Sequence, residues 1–123
     1  MELYADASYD PISHRMIGAY YDPINKTGSS YELFSNYKNN VDNHIAEALN
    51  ILYICEHFNE PLIIYNDNQI ICNRINGKNV RNSSKALYRL CGSIKQKIGI
   101  NKLNWKSEND PMMKIVDQLS KKV

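Results

Sequence analysis

Asn43-His44-Ile45-Ala46-Glu47-Ala48-Leu49-Asn50-Ile51-Leu52-Tyr53-Ile54-Cys55 is the stretch on which the reading of this chain turns. It has the make-up of an apolar helix with one carboxylate near its start. At 3.6 residues per turn, Glu47 shares a stripe with Ile51, Ile54 and Phe58. A carboxylate on a buried stripe is costly unless a cation, an Arg or Lys partner, or a proton compensates it. The plainer account puts Glu47 at the edge of the stripe, near a helix start that tolerates negative charge. The acids elsewhere in the chain bear on that choice.

Upstream of this helix, residues 1 to 9 alternate, with Glu2, Tyr4, Asp6 and Ser8 on one face and Leu3, Ala5 and Ala7 on the other. That is a first strand, with Asp6 near its end and the turn signal Tyr9-Asp10-Pro11 after it. A second strand runs roughly from Arg15 to Tyr21, with Gly18 inside at a position suited to close backbone approach. Asp22-Pro23 through Gly28 reads as a loop and Ser30 to Tyr37 as a third strand. Polar residues Lys38 to Asp42 lead into the helix, with Asp42 or Asn43 as its cap. The helix fades by Asn59-Glu60-Pro61.

Downstream, Pro61-Leu62-Ile63-Ile64-Tyr65-Asn66-Asp67 reads as a buried parallel strand. Asp67 stands at its C-terminal end, where ligands gather in open α/β sheets. A short helix from Asn68 to Ile75 stops at Asn76-Gly77, and Ser83 or Ser84 caps a basic helix reaching about Ile98, with Gly92 inside. Ile100 to Lys106 is a fifth strand. Asp110-Pro111 opens a last helix that turns Met112, Val116, Leu119 and Val123 inward, with Asp117 beside that stripe. The order β-β-β-α-β-α-α-β-α predicts an α/β fold: a mixed five-stranded sheet, three antiparallel strands then two parallel, flanked by helices.

A chain of 123 residues, 43% hydrophobic and 23% charged, has the size and balance of one globular domain spanning residues 1–123. No apolar run approaches the ~20 residues of a membrane span, and Met1-Glu2-Leu3-Tyr4-Ala5-Asp6 lacks the features of a signal peptide. Cys55, Cys72 and Cys91 lie far apart with no C-x-x-C pair, which suits reduced core thiols in a cytoplasmic protein. Monomer is the default expectation.

Net charge is only +2, but it is unevenly spread. Residues 1 to 67 hold ten acids against three bases, whereas no acid occurs between Asn68 and Ser107. That second stretch carries Arg74, Lys78, Arg81, Lys85, Arg89, Lys95, Lys97, Lys102 and Lys106. A run this one-sided is either a solvated face or the footprint of a polyanion such as nucleic acid.

Asp6 ends the first strand, Glu47 lies early in the helix, Asp67 ends the parallel strand, and Asp117 stands in the last helix. Each has an ordinary explanation alone: strand end, helix start, turn former, exposed helix residue. Together they cannot share one site without cations. Mg²⁺ suits them, being a hard ion that prefers carboxylate oxygens and retains waters exchangeable for substrate phosphate.

Taken with these motifs, the chain resembles the type 1 ribonuclease H family over essentially its whole length. The residues that carry the resemblance are Tyr4-Ala5-Asp6-Ala7-Ser8, Gly18-Ala19, Asn43-His44-Ile45-Ala46-Glu47, Ile64-Tyr65-Asn66-Asp67-Asn68-Gln69, and Trp105 through Asp117-Gln118-Leu119. The resemblance implies that Asp6, Glu47, Asp67 and Asp117 are the acidic metal ligands and catalytic residues. It implies hydrolysis of the RNA strand of an RNA–DNA hybrid by two Mg²⁺ ions about 4 Å apart, with Mn²⁺ a conceivable substitute. Asp6 would bridge both ions, Glu47 would also lie near the RNA 2′-hydroxyl, and the products would carry 5′-phosphate and 3′-hydroxyl ends. Ser8, Asn43 and Gln69 match positions that contact the hybrid, and His44 stands at another contact position.

The departures from the family pattern carry expectations of their own. His44 stands where an amide is common, and Ala7 where Gly usually follows the first Asp. No His lies between Trp105 and Asp117, so turnover is expected to be slower than in members with a loop His. A separate basic handle is missing, which leaves the stretch from Arg74 to Lys97, including Lys78, Arg81, Lys85 and Arg89, to grip the DNA strand through phosphates. Three other readings compete: a non-catalytic nucleic-acid-binding module of the same fold, a nuclease of that fold acting on DNA junctions, and a structural protein with a solvated basic face.

Overall fold

Alternation in the first residues produces β1 (Glu2–Tyr9), which pairs antiparallel with β2 (Met16–Asp22), setting Asp6 opposite Ala19. A tight turn returns the chain as β3 (Thr27–Leu33), antiparallel to β2. The computed structural model describes residues 1–35, 42–77 and 85–121. The third strand begins three residues before the expected Ser30, because the Asp22 carboxylate accepts from the Ile24 and Asn25 backbone N–H groups and shortens the loop. Tyr37, its expected end, lies outside the described residues.

The apolar stretch forms α1 (Asn43–His57), with Asp42 as cap: its carboxylate accepts from the Ile45 N–H at 2.9 Å. The chain then adds β4 (Ile63–Asn66), parallel to β1, and after two more helices β5 (Lys102–Trp105), parallel to β4. The resulting sheet has the order β3-β2-β1-β4-β5, the mixed five-stranded arrangement expected.

Helices α2 (Gln69–Ile75) and α3 (Lys85–Lys97) pack with α1 on one side of the sheet, over Leu3, Ala5 and Ile64. On the other side α4 (Pro111–Ser120) covers Tyr4 and Ala19. Gly92 is tolerated inside α3 without a break, while Ser83 and Ser84, the expected caps, lie outside the described residues. In α4 the expected inward set is borne out at Val116, while Met113 and Ser120 lie deeper than the expected Met112 and Leu119. Met113, Val116 and Ser120 are buried, whereas Met112 and Leu119 are only partly so and Val123 lies outside the described residues. The first turn is capped as expected by Asp110, which accepts from the Met112 and Met113 N–H groups. Among the described residues no helix is long and apolar enough to cross a membrane.

Candidate metal centre

β1 and β4 pair at Glu2↔Ile63, Leu3↔Ile64 and Tyr4↔Tyr65, and beyond Tyr4↔Tyr65 they part. The gap opens at the carboxyl ends of two parallel strands, with β1 continuing beside β2 and the chain leaving β4 for α2. Such a switch point is where open α/β sheets make their crevices. Asp6 comes to this gap from β1, Asp67 from the residue after β4, and Glu47 from the second turn of α1. One carboxylate oxygen from each lies within 4.8 Å of the others.

Glu47 is not at the stripe's edge but buried, at 4% exposure. Its Oε1 accepts from the Ala7 N–H at 2.7 Å, and its Oε2 accepts from the Asn66 side-chain amide. Burial pushes its carboxyl well above the ordinary Glu value, and the neighbouring Asp6 pushes it further. Asp6, 5% exposed, is likewise driven up by burial, to about 7, with the charges of Asp67 and Asp117 adding to the effect. Asp67 is raised chiefly by desolvation. Without a cation, burial therefore favours the protonated forms of both Asp6 and Glu47.

Asp117 differs from the other three. Its side chain is 45% exposed and paired with Lys121 at 2.9 Å. Partial burial pushes its carboxyl up, but hydrogen bonds from Lys121 and Asp6 outweigh that and leave it below the usual range. It thus reaches Asp6 from the rim rather than from within the gap. Lys121 brings positive charge to the edge of the acidic group.

Above the acids lies a cavity of about 620 Å³ whose wall includes Ser8, Asn43, His44 and Gln69 together with Glu47 and Asp67. The four expected nucleic-acid contacts are thus brought to one place. The polarity they present is constrained. The Ser8 hydroxyl donates to the Ser120 carbonyl at 2.6 Å, so outward it offers an acceptor. Asn68 spends its oxygen on the Ile71 N–H and turns its amide nitrogen to His44 Nδ1 at 3.0 Å. His44 Nδ1 is then an acceptor, which leaves Nε2–H as a donor. Lys85 and Arg89 are exposed on α3 and do not line this cavity; Lys78 and Arg81 lie outside the described residues.

Sequence reasoning gave no role to Asn50, Asn66, Asn68, Glu108, Ser120 or Lys121, all of which touch or border the site. For Asn50 and Asn66 there was a signal: each is an amide inside an otherwise apolar run, and each is fully buried. The donor set fits a hard divalent cation. Three clustered carboxylates, two of them buried and raised by that burial, are the ligands such an ion prefers, and among the described residues no buried cation matches them.

No family model and no curated protein matches the sequence. Among solved structures the chain is similar to LC11-RNase H1, isolated from compost by a metagenomic approach. It is 13% identical with a TM-score of 0.72, over 96% of this chain and 90% of that one. It is also similar to LC11-RNase H1 in complex with an RNA/DNA hybrid, at 12% identity and a TM-score of 0.68, over 98% and 96% of the two chains. The fold is ribonuclease H-like, and it carries an acidic group able to hold a metal ion.

Proposed function

We propose that this protein is a Mg²⁺-dependent endoribonuclease that hydrolyses the RNA strand of RNA–DNA hybrids, leaving 5′-phosphate and 3′-hydroxyl ends. The observation that carries the proposal is the convergence of Asp6, Glu47 and Asp67 in the gap between β1 and β4 of a ribonuclease H-like sheet. Asp6, Glu47 and Asp67 would hold the metal, with Asp117 completing the set from the rim and Mn²⁺ an alternative ion. Bound there, divalent cations supply an activated water and charge stabilisation for the leaving oxygen.

The chain's own groups do the rest. The Ala7 N–H and the Asn66 amide orient Glu47. Ser8, presenting an acceptor, suits an RNA 2′-hydroxyl, whereas His44 Nε2–H and the amides of Asn43 and Gln69 suit oxygen acceptors on the backbone or in the minor groove. Lys85 and Arg89, with Lys78 and Arg81, would hold the DNA strand by its phosphates.

The test is cleavage of an end-labelled hybrid with Mg²⁺, Mn²⁺ or EDTA, beside single-stranded RNA, duplex RNA and duplex DNA. Metal-dependent cutting of the hybrid's RNA strand, abolished in Asp67→Asn, is the expected result. A hybrid that is bound but left intact with either metal would replace the enzyme reading with a binding module.

A further inference from the structure

Asn66 ends β4 with its side chain in the gap between β1 and β4, and it is 0% exposed. Its Oδ1 accepts from the Asn68 backbone N–H at 2.8 Å. A backbone N–H can only donate, so the amide orientation is fixed and its nitrogen must face the other way. There it donates to the Ala5 carbonyl at 3.1 Å and to Glu47 Oε2. The Ala7 N–H holds the other oxygen, Oε1, at 2.7 Å. Each Glu47 oxygen thus receives one donor from the protein and keeps lone pairs free.

We propose that Asn66 is a positioning residue, which holds the Glu47 carboxylate aimed into the acidic gap for a divalent cation; this rests on the metal-dependent reading above. Groups that orient a metal ligand without touching the metal typically change affinity by about 10- to 100-fold when removed. The competing role is purely local: Asn66 closes the turn into α2 through Asn68. Serine separates the two roles. Its hydroxyl can close the same kind of turn, but its side chain is too short to reach Glu47.

The experiment is a calorimetric titration of the full chain with Mn²⁺ in the absence of nucleic acid, beside a thermal melt of each variant. Asn66→Ser is expected to raise the Mn²⁺ dissociation constant about 10-fold or more. Asn101→Ala serves as control: it loses a comparable bond, Asn101 Oδ1 accepting from the Leu62 N–H at 2.8 Å, at the opposite end of β4. Its Mn²⁺ affinity is expected to match the wild type even where its melting point falls. Asn66→Ala gives the same reading should Asn66→Ser prove too unstable to titrate. Wild-type Mn²⁺ affinity in a folded Asn66 variant overturns the role of Asn66 while leaving the metal reading intact. A wild-type protein that binds no Mn²⁺ overturns both.

Discussion

The Ser120 hydroxyl lies 3.3 Å from Asp6 Oδ2 and 2.8 Å from the Asp117 carbonyl, joining the last turn of α4 to the strand that carries the central acid. Its own carbonyl accepts from Ser8 Oγ at 2.6 Å. One small residue therefore ties α4 to β1 across 114 positions of the chain. Ser120→Ala is expected to cost about 1 kcal/mol, the usual net worth of a buried hydrogen bond. Ser8→Ala should cost a similar amount. Urea unfolding measures both; losses within error of zero would mean that α4 is held by its apolar contacts alone.

The raised carboxyls make stability depend on pH in an unusual direction. Asp6 titrates at about 7 in the folded chain against 3.8 ordinarily, so between those values the folded state binds more protons than the unfolded one. Stability then falls as pH rises through that window, by up to about 4 kcal/mol for this group at full separation. Glu47, raised by the same burial, acts in the same sense. The metal-free protein is expected to be less stable at pH 8 than at pH 5, and Asp6→Asn to remove much of that loss. Mg²⁺ at pH 8 should restore stability to the wild type more than to Asp6→Asn, because only ligand binding to the folded state adds free energy. Chemical denaturation across pH, with EDTA or Mg²⁺, decides; a flat profile in EDTA would contradict the upward shift of the buried pair.

Much of this site is legible in the sequence, for a definable reason. Asp6, Glu47 and Asp67 sit at ends of elements whose periodicity is strong, so topology brings them together once strand order is known. Asp42 and Asp110 announce their helices by local chemistry alone. Asn50 and Asn66 were visible as polar intruders in apolar runs, but their partners are not. Asn50 donates to the Asp6 and Ala19 carbonyls, and Asn66 to the Ala5 carbonyl; backbone acceptors leave no mark in a side-chain pattern. Ser120 was hidden for the same reason. On α4 the inward position of Val116 is legible, but Met112 and Met113 are equally apolar, and only packing against Tyr4 and Ala19 separates them.

Asn50 also explains a glycine. A Cβ on Gly18 would stand 2.3 Å from Asn50 Oδ1 and 2.7 Å from the Tyr31 ring, and Asn50 is itself clamped by two backbone carbonyls and by the Tyr31 hydroxyl. None of these groups is the free end of a flexible chain. Gly18→Ala is therefore expected to destabilise the fold by about 2 kcal/mol or more, in the range of overpacked cores. Gly92, in the middle of α3, meets nothing within 4 Å, and Gly92→Ala should instead stabilise by about 0.5–1 kcal/mol through helix propensity. Thermal or urea unfolding of the pair tests both signs at once; equal effects would refute the packing argument.

Lys85 and Arg89 project from α3 while its other side, Ala86, Leu87, Leu90, Cys91 and Ile94, is buried. The basic face is thus free to meet a polyanion without disturbing the core. If it holds the DNA strand of a hybrid, each cation neutralises about one phosphate, and log affinity falls linearly with log salt. Binding of an intact hybrid to Asp67→Asn, measured by anisotropy across a salt series, should show that steep dependence. Lys85→Ala and Arg89→Ala, each added to Asp67→Asn, should weaken binding to all hybrid sequences alike and reduce the slope by about 1 apiece. An unchanged slope in both would mean that the face is merely solvated. The hybrid would then be held through the cavity around Ser8, Asn43, His44 and Gln69 instead.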